Sequence, residues 1–297
     1  MSRETSAGTG KPYGLERVCR VLEFPRSTIY AQRQAAKVMP LHRARRGPKP
    51  KVSDAGLLAA IRADLAASPF TGEGHRKVWA RLRILRDIRV GRSRVLRLMR
   101  ENQLLSPHRR PQGAPTLHDG TITTTRPNEM WGTDGIRIET VDEGWVWVFS
   151  AVDHFDACCV GIHAVKIGNR FAALQPIAQG LLAEFGATGA DAGRGLALRM
   201  DNGTQYTADD FLNQVKFWGI APSFAFVAEP QTNGVAERFN RTLKEQVIHG
   251  RIFRNVEEVR VAITEFRERY NRHWRLEKLG FMSPLEARQV YAMQKAA

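Results

Sequence analysis

The sequence predicts an α/β fold behind an all-α front, and three observations carry that prediction. Charge is split along the chain: residues 1–118 hold 25 Lys and Arg against 8 Asp and Glu, whereas residues 119–297 hold 20 against 22. Apolar residues recur at helical spacing as far as about residue 106, then alternate with a period of two from Trp131 onward. After three alternating runs, helical and strand patterns take turns, which describes a mixed sheet flanked by helices on both faces. Composition agrees, since 43% hydrophobic and 25% charged residues suit globular domains and 297 residues can bury one or two cores.

Composition also excludes function classes. No apolar run approaches the roughly 18 residues that span a bilayer, and the polar start has no signal-peptide core, so a cytoplasmic protein without a membrane partner is expected. Cys19, Cys158 and Cys159 form neither a disulfide framework nor a C-x-x-C pair, and His75, His108 and His118 have no Cys pair to complete a zinc site. The net charge of +15, gathered in the front, points to a polyanion-binding module joined to a near-neutral domain.

In the front, Leu15, Val18, Val21 and Leu22 predict a first helix, broken by Glu23-Phe24-Pro25. A second helix is expected from an N-cap at Ser27, with Arg20, Arg26 and Arg33 outside, making 1–36 a short helix-turn-helix-like segment. A basic linker with Pro40, Pro48 and Pro50 covers 37–52. Residues 53–106 predict a three-helix DNA-binding domain. Leu57, Leu58, Ile61 and Leu65 form one stripe, and Val78, Leu82 and Leu85 another; a third helix starts at Ser93. Arg92, Arg94, Arg97 and Arg100 make that third helix a candidate for reading a major groove, with a solvated basic face as the plainer alternative. A second linker covers 107–126.

The α/β domain is expected over 127–297. Strands are predicted at 131–139, 145–152, 157–165, 196–200 and 223–227, and helices at 169–185, 208–218, 235–249 and 256–271, the last two finishing the domain. Three acidic residues stand out on this frame. Asp134 interrupts the first strand, Asp201 follows the fourth, and Glu237 lies in the first turn of a helix. Asp201-Asn202-Gly203 is also ordinary turn chemistry, and Glu237 could be a helix N-terminal anion or pair with Arg241. Asp134 is harder to dismiss, because strand interiors disfavour Asp. If the first and fourth strands are neighbours, the carboxylates converge and need cations. Hard oxygen donors suit Mg2+ or Mn2+, and a two-ion site suits phosphodiester chemistry.

Thirty-five residues separate Asp201 from Glu237, and Lys244 follows seven later. This resembles the D-D-35-E signature of transposases and retroviral-type integrases, carried by residues 200–206 and 230–244. Tyr270-Asn271-Arg272 and Ser283-Pro284-Leu285-Glu286-Ala287 resemble the tail of insertion-sequence transposases. Residues 74–78 and 94–101 resemble the helix-turn-helix of the OrfB subunit of the insertion sequence three family. The chain departs from that pattern at Gly135-Ile136 and Arg199-Met200, neither of which removes a carboxylate.

The resemblance implies an RNase H-like fold, and Asp134, Asp201 and Glu237 as catalytic metal ligands. It implies cleavage and strand transfer of double-stranded DNA at transposon ends, action as a homo-oligomer, an OrfA partner and a nucleoid-associated role. Glu237, Arg241 and Lys244 share one helix face opposite Ala236, Phe239, Leu243 and Val247, which makes Lys244 and Arg241 candidate DNA contacts. The competing readings are an RNase H-like nuclease, which needs no basic front module, and a catalytically idle DNA-binding derivative, which needs no carboxylates.

Overall fold

The computed structural model describes residues 3–37, 51–106, 123–225 and 233–296, so the basic linkers and the Pro230–Thr232 stretch fall outside it. The chain divides into two compact units, Met1–Lys51 and Val52–Ala297.

In the first unit, α1 (Leu15–Val21) and α2 (Arg26–Lys37) flank the expected break. α2 opens at Arg26, directly after Pro25, so Ser27 lies inside the helix rather than capping it. Two helices this short enclose little: Cys19 is buried, while Val21, Leu22, Phe24 and Tyr30 stay exposed. Glu16 pairs with both Arg20 and Arg26 on the surface.

The second unit begins with α3 (Asp54–Ala67), α4 (His75–Arg86) and α5 (Arg92–Glu101). Ser53 caps α3 by accepting a hydrogen bond from the Gly56 amide at 3.1 Å. The three helices bury Leu57, Ile61, Val78, Leu82, Val95, Leu98 and Met99 against one another. Leu85, expected on that stripe, is exposed. Asp87 adopts the left-handed conformation and turns the chain so that Ile88 packs on the cluster, its amide bonded to Leu82. Gly91, not Ser93, precedes the first residue of α5.

Next comes a five-stranded sheet, β1 (Met130–Thr140), β2 (Gly144–Asp153), β3 (Cys159–Val165), β4 (Ala197–Met200) and β5 (Ala221–Phe224), in the order β3-β2-β1-β4-β5. The first three strands are antiparallel; β4 joins β1 in parallel and β5 joins β4 in parallel. This mixed sheet, covered by helices on both faces, is the RNase H-like fold. β3 starts two residues later than predicted, because Ala157 sits at φ 59° in the turn closed by Asp156. α6 (Arg170–Phe185), α7 (Thr204–Thr207) and α8 (Asp209–Phe217) pack with Trp131, Phe149, Leu198 and Met200 on one face. α9 (Gly234–Leu243) and α10 (Val256–His273) pack on the other, over Ile136, Ile138, Val146 and Val148.

Two helical expectations change. The helix carrying Glu237 does not run uniformly to residue 249; from Lys244 to Ile248 it widens into a π turn, with the His249 amide bonded to the Lys244 carbonyl at 2.8 Å. A further helix, α11 (Pro284–Ala296), follows the two expected to finish the domain. Its start carried a legible signal: the Ser283 hydroxyl accepts from the Glu286 amide, while the Glu286 carboxylate accepts from the Ser283 amide.

Candidate active site

Asp134 lies in β1 with its side chain on the α9 face, the same face as Ile136 and Ile138. Its Oδ1 accepts the Gly135 amide at 2.8 Å, and its Oδ2 accepts Nδ2 of Asn240 at 2.8 Å. Oδ1 of Asn240 in turn accepts the Ser150 hydroxyl at 3.2 Å, from the β2 residue directly opposite Asp134. Ser150 and Asn240 are both buried, so this relay from β2 through α9 holds the carboxylate in one orientation. Burial pushes the Asp134 carboxyl above its ordinary range, the Asn240 and Gly135 hydrogen bonds oppose that, and the Asp201 charge adds to it, with Lys244 pulling the other way.

The β1–β4 pairing is what brings Asp201 close. Gly132 pairs with Arg199, and continuing the parallel register by two residues sets Asp134 level with Asp201 just beyond the end of β4. Oδ1 of Asp201 accepts the Gly203 amide at 2.9 Å, an Asx turn, and Nδ2 of Asn202 ties the loop to the Ala225 carbonyl. Turn chemistry and placement at the sheet end therefore coexist in the same residue.

Glu237 projects from the first turn of α9. Partial desolvation raises its pKa, the Asp134 charge raises it further, and Arg241 opposes both. The start of α9 is pinned by Asn233, whose Nδ2 donates to the Thr133 carbonyl at 2.9 Å. That approach needs Gly132, since a Cβ there would lie 2.8 Å from Asn233 Oδ1 and 2.9 Å from His154 Nε2. Asp134 is thus within electrostatic reach of both Asp201 and Glu237. Among the described residues no group of three His, Cys, Asp or Glu side chains is gathered closely enough to hold a metal ion. The donor set nevertheless fits a hard cation, because the carboxyls are all-oxygen donors and two of them are held above their ordinary pKa by burial and by a neighbouring carboxylate, Asp134 by Asp201 and Glu237 by Asp134.

Lys244 and Arg241 are exposed on α9 and the start of its π turn, while Ala236, Phe239, Leu243 and Val247 are buried as the stripe predicted. The arginines of α5 meet different fates. Arg94 and Arg97 both bond Asp54, at 2.8 and 2.5 Å, and Arg97 also bonds Glu101 at 2.9 Å. Arg92 reaches Glu277 at 3.5 Å, and Arg100 is exposed. Arg94 and Arg97 therefore brace the α3–α5 packing, Arg92 is half-exposed beside Glu277, and Arg100 is turned outward on this helix. Sequence reasoning missed Asn240 and Asn233, whose one signal was a polar residue on the apolar side of a helix or at its start.

Comparison with known proteins follows the same outline. Residues 124–230 and 218–284 match integrase core domain families, and residues 54–112 match an HTH-like domain. The two integrase-core matches together span more than half of the chain. The transposase for insertion sequence element IS629 of Shigella sonnei is 28% identical over 228 residues, 73% of this chain and 74% of the relative. Transposase InsD for insertion element IS2A/D/F/H/I/K of Escherichia coli is 27% identical over 231 residues, 75% and 74% of the two chains. By these matches the chain is an insertion-sequence transposase with an integrase core domain behind an HTH-like domain. Among solved structures, the catalytic core of HTLV-2 integrase in complex with magnesium aligns with a TM-score of 0.38 at 16% identity, over 51% of this chain and 91% of that one. In this transposase the integrase-core match takes in Asp134 and Asp201, and the second match takes in Glu237 and Lys244. No helix among the described residues is long and apolar enough to cross a membrane.

Proposed function

We propose that Asp134, Asp201 and Glu237 form the active site at which this transposase cuts DNA and joins the cut end to a target. What supports this reading is the parallel β1–β4 register, which, carried two residues past its last pair, brings Asp134 level with Asp201 beyond β4, together with the charge of Asp134 acting on Glu237 in the first turn of α9. The three carboxylates would hold divalent cations, Mg2+ or Mn2+, two per site. When bound, such ions lower the barrier to phosphodiester exchange by stabilising charge on the attacking and leaving oxygens.

The chain's own residues do the rest. The Ser150–Asn240 relay and the Gly135 amide orient Asp134, and the Gly203 amide orients Asp201. Lys244 and Arg241, exposed beside them, attract the phosphate. In the first step a water oxygen bonds to phosphorus as the P–O3′ bond breaks, leaving a 3′-hydroxyl. In the second that hydroxyl attacks a target phosphodiester and releases another 3′-hydroxyl. The helical segment 53–106 would bind DNA through Arg92 and Arg100, with Arg94 and Arg97 shaping the helix that presents them. Apolar residues left exposed on α1 and α2 support a role for 1–36 in assembly, as a homo-oligomer or with an OrfA product, on bacterial DNA in the cytoplasm. The test is end cleavage and strand transfer on a labelled transposon end with Mg2+; undiminished activity in an Asp201→Asn variant would overturn the assignment.

A further inference from the structure

The three-helix front of the second unit grips the active-site helix at one point. The Thr71 amide donates to Oε1 of Gln246 at 3.0 Å, and Nε2 of Gln246 donates back to the Thr71 carbonyl at 2.8 Å. One side-chain amide that closes both bonds with a single backbone residue fixes orientation as well as distance. Thr71 is itself anchored, because its neighbour Phe70 is buried in the same cluster as Phe239, Leu243 and Val247 and meets Trp274 edge-on at 4.8 Å. Further along the docked face, Arg76 pairs with Glu277 at 2.7 Å and Trp79 meets Phe281 edge-on.

Gln246 sits inside the π turn, two residues beyond Lys244. At about 100° per residue in a helix, two residues apart means opposite sides, so a hold on Gln246 from behind sets which way Lys244 faces. A π turn is a local widening whose side-chain directions differ from those of the α-helix before it, and such turns concentrate at functional sites. The charge of Lys244 acts on Asp134, the half-buried carboxylate of β1.

We infer that Gln246 is a positioning residue for strand cleavage and transfer: clamped by Thr71, it keeps Lys244 on the carboxylate side of the helix. The front helices are then a working part of the catalytic domain as well as a DNA-binding element. Load placed on them by DNA reaches the active site through a pair of hydrogen bonds. This rests on the reading of Asp134, Asp201 and Glu237 as the active site.

The experiment uses the full chain with Mg2+ and a labelled transposon end, in single turnover at saturating DNA. Gln246→Ala removes a surface hydrogen-bond pair and leaves the buried Phe70 cluster in place, so thermal unfolding should remain close to that of the parent. Cleavage should fall about five- to tenfold while affinity for end DNA changes less than about twofold. Gln246→Glu, which keeps the acceptor and loses the donor, should fall in between. In a Lys244→Ala background the Gln246→Ala loss should vanish, because the two act in series. Wild-type cleavage by Gln246→Ala, or an equal loss in both backgrounds, would overturn the clamp while leaving the active site standing. Retained cleavage in Asp201→Asn would overturn the active-site reading and the clamp together.

Discussion

Asp153, Asp156 and Glu184 form a second acidic trio in the same domain, and its contrast with Asp134, Asp201 and Glu237 is instructive. Asp153 and Asp156 are fully buried at the end of β2 and in the turn after it, and Glu184 lies on α6. Arg288 of α11 answers all three: Nε meets Asp156 at 2.7 Å, Nη2 meets Asp153 at 3.2 Å and Nη1 bonds Glu184. At the other trio no such cation is built in. Among the described residues no ion pair joins Lys244 or Arg241 to the carboxylates, and Asp134 is held by neutral amide donors instead. Acids compensated from within the chain brace the fold; acids held in place and left uncompensated are available to an external cation.

The largest effect should separate the trios by activity. Asp201→Asn should lower end cleavage by about a thousandfold or more, since several kcal/mol of transition-state stabilisation would be lost. Its thermal stability should hold, whereas Arg288→Ala should leave cleavage chemistry intact in whatever fraction remains folded; equal activity losses in both variants would break the comparison.

Arg288→Ala should cost about 3–5 kcal/mol of stability in urea unfolding, because it leaves buried carboxylates unpaired. The penalty should depend on pH. Burial first, and then the Asp156 charge, push the Asp153 carboxyl up to about 6, with Arg288 and two backbone amides opposing. A carboxyl raised above its ordinary range favours the fold while protonated and loses that contribution as pH rises through about 6. The variant should therefore be less destabilised at pH 5.5 than at pH 8. A penalty independent of pH would assign the loss to packing of α11 instead.

Cation binding should sharpen the contrast further. Mg2+ at about a hundredfold above its Kd should stabilise the parent by about 2.7 kcal/mol, read as a rise in Tm that a chelator reverses. The rise should disappear in Asp134→Asn and persist in a Glu184→Gln variant. The smallest effect falls to Lys244→Ala, which should weaken end-DNA binding and lower the slope of log affinity against log salt by about one. An unchanged slope would place Lys244 away from the phosphate path.

Local patterns were legible where a residue acts through its own neighbours in sequence. The Leu57–Ile61 and Val78–Leu82 spacings, the strand alternation after Trp131 and the 35-residue interval before Glu237 describe one element or one pair of elements. Leu85 failed because its burial depended on where Asp87 would turn the chain. Arg94 and Arg97 looked like groove readers because their partner, Asp54, lies 40 and 43 residues earlier. Asn240 looked like an ordinary helix residue because its partner, Asp134, lies 106 positions away.

The sequence by itself determined the α/β core behind a basic all-α front and the helix face shared by Glu237, Arg241 and Lys244, and it singled out the three candidate carboxylates. Those follow from periodicity, charge and spacing, which are properties of short stretches. Tertiary structure alone decided that β4 lies beside β1, that Asn240 and Ser150 orient Asp134, that Thr71 holds Gln246, and that Arg288 silences one acidic trio and not the other. The physical reason is that compensation of charge is a matter of which groups meet in space. An acidic residue reads the same in sequence whether its counter-ion arrives from α11 or must come from solution.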